Sequence, residues 1–154
     1  MSKLTPILKW AGGKRQLLSE IIPLVPQEFE YYYEPFVGAG AVLLDLQPQK
    51  AVVNDTNTDL INVYYIIKHQ PNELIKLLKE YETSHCEEFY YKMRNIDRDI
   101  VTFSNLPIVE KAARTIYLNR TCYNGLYRVN KQGFFNTPIG RNSSIQIVNE
   151  KGIL

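Results

Sequence analysis

The chain has 154 residues, 45% of them hydrophobic and 22% charged, with a formal net charge of +2. That size suits one ordinary domain able to bury roughly two-thirds of its unfolded surface, and the composition excludes a disordered or fibrous chain. No apolar run approaches the ~20 residues that span a bilayer, so membrane insertion and secretion are not expected and a cytoplasmic location is.

In chain order, the first predicted element is a helix over residues 14–22, with Leu17, Leu18, Ile21 and Ile22 on one face and Pro23 and Pro26 as its stop. Tyr31 to Phe36 is β-favouring and runs into Val37-Gly38-Ala39-Gly40, after which Ala41 to Leu46 reads as a helix. Ala51 to Asn54 predicts a short buried strand ending at Asp55. Helical spacing then recurs from Asp59 (Leu60, Val63, Tyr64, Ile67) and after Pro71 (Leu74, Leu77, Leu78, Tyr81). It continues over about 87–98 and about 108–119, where Ala112, Ala113, Ile116 and Tyr117 face inward. Two short runs flanking Asn130-Lys131-Gln132 predict a β-hairpin at about 126–137, closed by Pro138.

Charge is unevenly spread. Residues 1–100 hold 11 basic and 14 acidic side chains, whereas residues 101–154 hold 7 and 2. Six basic residues (Lys111, Arg114, Arg120, Arg128, Lys131, Arg141) fall in a stretch without Asp or Glu, interleaved with Tyr and Phe. Such a block reads as a polyanion-binding surface or as a basic face with no partner. Cys86 and Cys122 are isolated, with no metal-ligand spacing, so they read as reduced thiols and no metal is expected. The Asn-x-Ser/Thr triplets at Asn54, Asn119 and Asn142 carry little meaning in a chain not expected to be secreted.

Three segments carry chemistry. Gly38 and Gly40 follow the first strand, where the backbone can come close to a ligand at the carboxyl edge of a parallel sheet. Asp55, at the end of the next strand, can accept from both ribose hydroxyls of a nucleoside cofactor. Leu43 stands where a dinucleotide fingerprint needs its third glycine, so an adenosine-type ligand without phosphates fits better than NAD. The alternative for this corner is a packing turn. In Lys9-Trp10-Ala11-Gly12-Gly13-Lys14, the two glycines make a bend able to aim Trp10 and Lys14 at one small ligand; the alternative is a core Trp and a solvated Lys. Asn119 to Arg128, with the hairpin and Asn136 to Arg141, mixes Arg, Asn and Tyr as base-reading segments do; the alternative is ordinary surface.

Taken together, Lys-Trp-Ala-Gly-Gly-Lys, Glu-Pro-Phe-Val-Gly-Ala-Gly, Asn-Asp-Thr-Asn and Asn-Gly-Leu-Tyr-Arg-Val-Asn make the chain resemble the Dam-like family of DNA adenine N6-methyltransferases, from about Leu8 to Arg141. The resemblance implies an α/β, partial Rossmann-like S-adenosylmethionine-dependent methyltransferase fold with an inserted, mostly helical recognition domain carrying a β-hairpin. It places S-adenosylmethionine against Trp10, Gly12, Lys14, Phe36, Gly38, Gly40 and Asp55, with Asp55 on the ribose. Double-stranded DNA is implied as partner, with GATC the first site to test. Lys9, Arg120, Tyr123, Asn124, Leu126, Arg128, Pro138 and Arg141 would meet it, Tyr123 inserting beside the target pair, Arg128 reading a guanine and Arg141 holding a phosphate.

The resemblance divides the chain into a cofactor part at 1–58, a recognition region at 59–142 and the start of a return to the catalytic domain at 143–154. The family's catalytic Asp-Pro-Pro-Tyr segment does not occur in these residues. The chain therefore reads as the first half of a methyltransferase, inactive alone, with an open strand edge that predicts self-association. A non-catalytic DNA-binding or regulatory module and one half of a split methyltransferase are the alternatives.

Overall fold

The computed structural model describes residues 4–141 and 145–154; the Asn142 triplet and the 142/143 boundary lie outside the described residues. Strand β1 (Tyr32–Glu34) pairs in parallel with β2 (Ala51–Val53), Tyr32 opposite Ala51 and Glu34 opposite Val53. Two bonds carry the pairing past the strand ends, Asn54 N to Glu34 O and Val37 N to Asn54 O, both 2.9 Å. These ties hold the glycine corner next to Asp55.

Helix α1 (Leu18–Ile21) is only one turn long, set between 3₁₀ turns at Lys14–Leu17 and Ile22–Leu24. The continuous helix expected over 14–22 is thus corrected: the segment lies against residues 41–46 with Leu18, Ile21 and Ile22 only half-buried, and with none of its residues fully buried a longer α-helix gains little. Helix α2 (Ala41–Leu46) joins the strands as expected. Strand β2 is shorter and more open than the buried strand expected from Ala-Val-Val, because the sheet among the described residues has two strands and Val52 is 54% exposed.

The core lies in the helical part. Helix α3 (Thr58–His69) is capped by Asn57, whose side chain accepts from Leu60 N at 2.9 Å. It turns at Gln70 into α4 (Pro71–Ser84), with proline at the first position, where no N–H is needed. Next come α5 (Glu87–Asn95), a 3₁₀ turn at Ile96–Arg98, and α6 (Ile100–Asn105), capped by Asp99 and missed in the sequence. The 3₁₀ turn ends the helix expected over 87–98 early.

Helix α7 (Ile108–Thr121) runs through the middle against α3, α4 and α5, buried nearly all round as a central helix must be. Ala112 and Ala113 let α3 approach, while Tyr117 is ringed by Tyr81, His85, Phe89 and Tyr90. Helix α8 (Glu150–Ile153) closes the chain onto α4, where Glu82 accepts Ile147 N at 2.9 Å.

Two outcomes correct the sequence reading of residues 111–141. The β-hairpin is a turn with a single antiparallel bridge, Val129 to Phe135, closed by Asn130 accepting from Gln132 N and Phe134 N. Two ladder bonds form, Asn130 N to Phe134 O at 2.9 Å and Asn136 N to Arg128 O at 3.0 Å. The next would need an N–H that Pro138 lacks, and Thr137 Oγ1 donates to Leu126 O instead. The outward groups are held from elsewhere, Tyr90 Oη donating to Thr137 O and Asp97 accepting Phe135 N. The basic block is not all surface either. Arg114 is 3% exposed, and Lys111 donates to Ser104 O at 3.0 Å.

Candidate cofactor and nucleic-acid site

Trp10, Lys14, Gly38 and Asp55 come from three separate segments and meet at the end of the sheet. Asp55 Oδ2 accepts Gly38 N at 3.0 Å and its Oδ1 accepts Asn57 N at 3.1 Å, so the carboxylate clamps the glycine corner to the start of α3. Each oxygen keeps a lone pair for a further donor. The Lys14 ammonium donates to the carbonyl of Phe36 and pairs with Glu34 Oε1 at 3.2 Å. Glu34 is buried, and Tyr32 Oη donates to its second oxygen at 2.8 Å. That contact and burial push the Tyr32 hydroxyl well above its usual range, desolvation being the larger cause.

Gly38 lies beside the Trp10 indole, whose Cδ1 is 3.7 Å from where a Cβ would sit. Gly40 has φ +71°, and a Cβ there would fall 2.8 Å from Tyr64 Oη, so only glycine fits. The Tyr64 hydroxyl donates to Gly38 O at 2.9 Å, tying α3 to the corner. Trp10 and Gly12 line a cleft of about 820 Å³ whose walls include Lys9, Ala39 and Arg120. Lys14, Phe36 and Asp55 stand outside that lining, and the Phe36 ring is exposed.

The end of α7 and the segment after it are fastened to the same bend. Asn119, fully buried on α7, accepts Lys9 N (2.9 Å) and donates to Lys9 O (2.8 Å) and Gly125 O (3.1 Å). Asn124 and Gly125 are both left-handed, at φ +55° and +65°, and a Cβ on Gly125 would lie 2.5 Å from Lys9 Cδ. The Tyr127 ring sits 4.7 Å from Trp10, and its hydroxyl donates to Asp59 at 2.8 Å.

Lys9, Arg120, Tyr123, Asn124 and Arg141 share a second cleft of about 180 Å³. Tyr123 and Leu126 are exposed, and Tyr123 N donates to Pro138 O at 2.9 Å. Arg128 lies apart on the turn, held by Asn136. Burial pulls the Arg120 guanidinium below its usual value, and its Nε has no hydrogen-bond partner among the described residues.

The family model described as D12 class N6 adenine-specific DNA methyltransferase matches residues 10–153. The chain belongs to that family. It is 45% identical to a protein named Type II methyltransferase M1.LlaDCHI, of Lactococcus lactis subsp. cremoris, over 96% of this chain and 52% of that one. Type II methyltransferase M.MjaIII of Methanocaldococcus jannaschii is 40% identical over 98% of this chain and 57% of its own length. The DNA adenine methylase of Escherichia coli K12 is 40% identical over 92% and 49%. The chain spans about half the length of these curated relatives.

The corner brings together the Asp55 carboxylate, a lysine paired with Glu34 and the Trp10 ring. Methyltransferases of this kind draw their methyl from S-adenosylmethionine in general. Among the described residues no group of three or more His, Cys, Asp and Glu side chains could hold a metal ion, and no helix is long and apolar enough to cross a membrane. Sequence reasoning missed Glu34, Tyr64, Asn119 and Asp97. Asn119 had a signal, since it continues the inward stripe of Ala112 and Ile116 and a polar residue there must be paired.

Proposed function

We propose that these residues form the S-adenosylmethionine-binding and target-recognition part of an adenine-specific DNA methyltransferase acting on a GATC-type site. The convergence of Trp10, Lys14 and Asp55 on the Gly38 corner supports this reading. Asp55 would hold the ribose hydroxyls, Lys14 the methionine carboxylate, and Trp10, Gly12, Phe36 and Gly40 the walls. The cofactor supplies the methyl group when bound. The reading places 1–58 in a Rossmann-like part and 59–142 in a recognition domain, with intracellular double-stranded DNA as partner and the open sheet edge able to pair with a second copy.

The Asp-Pro-Pro-Tyr segment that positions the adenine amine for attack in the resembled family is not among these 154 residues. The chain should bind S-adenosylmethionine in a calorimetric titration. With labelled cofactor and a GATC duplex it should incorporate no methyl group, and turnover above background would overturn that half of the proposal.

On the DNA side, Lys9, Arg120 and Arg141 line one basic cleft and Arg128 sits on the turn, which suits phosphate contact for the first three and base reading for the last. Arg128→Ala should cost about 1–3 kcal/mol and relax preference at one guanine. Arg141→Ala should instead weaken binding to every duplex and flatten the salt dependence by about one unit. Fluorescence anisotropy across single-base variants and a salt series separates the two roles. An equal loss for all duplexes on Arg128→Ala would reassign it to phosphate.

A further inference from the structure

The turn that carries Arg128 is gripped from behind by charges the proposed function leaves without a role. Phe135 N donates to Asp97 Oδ2 at 2.8 Å, and Phe135 O accepts from Arg98 Nη2 at 3.0 Å. Arg98 Nη1 holds Asp97 Oδ1 at 2.8 Å, while Arg114 Nη2 holds Asp97 Oδ2 at 2.9 Å. Arg114 is in turn fixed to α5 through the carbonyls of Met93 and Arg94. Both backbone polar groups of Phe135 are therefore anchored to the 3₁₀ turn at Ile96–Arg98, which Arg114 ties to α7 and α5.

One residue further, Asn136 Oδ1 accepts Arg128 Nε at 2.7 Å, and Asn136 O accepts Arg128 Nη2 at 3.3 Å. Backbone pairing contributes two bonds around the bridge at Val129 and Phe135, Asn136 N to Arg128 O at 3.0 Å and Asn130 N to Phe134 O at 2.9 Å. These fix Asn136 relative to Arg128, while the grip on Phe135 fixes the pair relative to the helices. An arginine that reads a guanine edge through two parallel bonds tolerates little misplacement. Buried ion pairs are weak stabilisers compared with apolar side chains of the same volume, and fixing one register is a use that accounts for this one.

We infer that Asp97 and Arg98 are positioning residues for sequence discrimination: their double hold on the Phe135 peptide aims the Arg128 guanidinium through Asn136. The inference rests on reading Arg128 as the guanine reader. The variants are Asp97→Asn, which keeps the shape and loses the charge, and Arg98→Lys, which keeps the charge and loses the fork while leaving the buried Asp97–Arg114 pair in place. Each is titrated by anisotropy, as the full chain, against a GATC duplex, duplexes altered at one guanine pair, and an unrelated duplex.

The expected result is that the ratio of affinities at the guanine pair falls at least about fivefold in both variants, while affinity for the unrelated duplex stays within about twofold. Wild-type discrimination in both variants, or a uniform loss on all duplexes, overturns the inference. A wild-type chain that distinguishes none of the duplexes is a separate result: it removes the reading of Arg128 itself, and the inference with it.

Discussion

Replacing Asp97 by alanine should lower the stability of this chain by about 3 kcal/mol, the low end of the range for removing one member of a buried ion pair. Asp97 and Arg114 are both buried and their side chains meet at 2.9 Å, so the alanine variant leaves a guanidinium inside the protein without its counter-ion. The effect sits at the low end because Arg114 keeps the carbonyls of Met93 and Arg94 as acceptors. The Phe135 N–H loses its acceptor as well. For a domain of this size the change corresponds to roughly 6–12 °C in Tm. Glu150→Gln is the control, since its pair with Lys79 is solvent-exposed and such pairs contribute at most about 1 kcal/mol. Urea or thermal unfolding followed by circular dichroism measures both. Equal midpoints for the two variants would show that the buried network contributes no more than a surface pair.

Asp55→Ala should weaken S-adenosylmethionine binding about 100-fold. Two hydrogen bonds from ribose hydroxyls to a carboxylate would be lost, each contributing about 1.5–3 kcal/mol before the partial compensation that solvent provides. Because Asp55 also accepts Gly38 N and Asn57 N, the same variant is checked by thermal unfolding, and the affinity loss must exceed what altered folding explains. A comparison with adenosine divides the site into its two ends. Asp55→Ala should weaken both ligands, whereas Lys14→Ala should weaken S-adenosylmethionine and leave adenosine unchanged, since adenosine has no carboxylate for Lys14 to meet. If adenosine responds to both substitutions alike, Lys14 acts through its contacts with Glu34 and Phe36 rather than on the ligand. Measurable NAD affinity without S-adenosylmethionine affinity would return the corner to the dinucleotide class.

Helices α3, α4 and α7 are readable because each obeys a local rule. Apolar residues recur at helical spacing, Pro71 marks a start, and Ala112 and Ala113 in α7 announce a crowded interior. Helix α6 was missed because it is short, with none of its residues buried and no apolar stripe to betray it. The Lys14–Leu17 turn is the converse case: its spacing is helical, yet none of its residues is buried. The hairpin stands where it is expected but is cut to one bridge, because Pro138 has no N–H to extend the ladder and the outward groups of Phe135 and Thr137 are held by Asp97 and Tyr90, remote in sequence.

What the sequence by itself determined is the family, the order of its motifs and the residue types at the glycine corner, because those depend on identity and spacing along the chain. Only the tertiary structure decided that Asn119 joins the Trp10 bend to the recognition turn, that Glu34 is paired with Lys14, and that Arg114 faces inward to Asp97 rather than outward to a polyanion. The physical reason is that a charge has no preferred side until packing removes water from one of them. Burial then requires a partner, and that partner can lie anywhere in the chain.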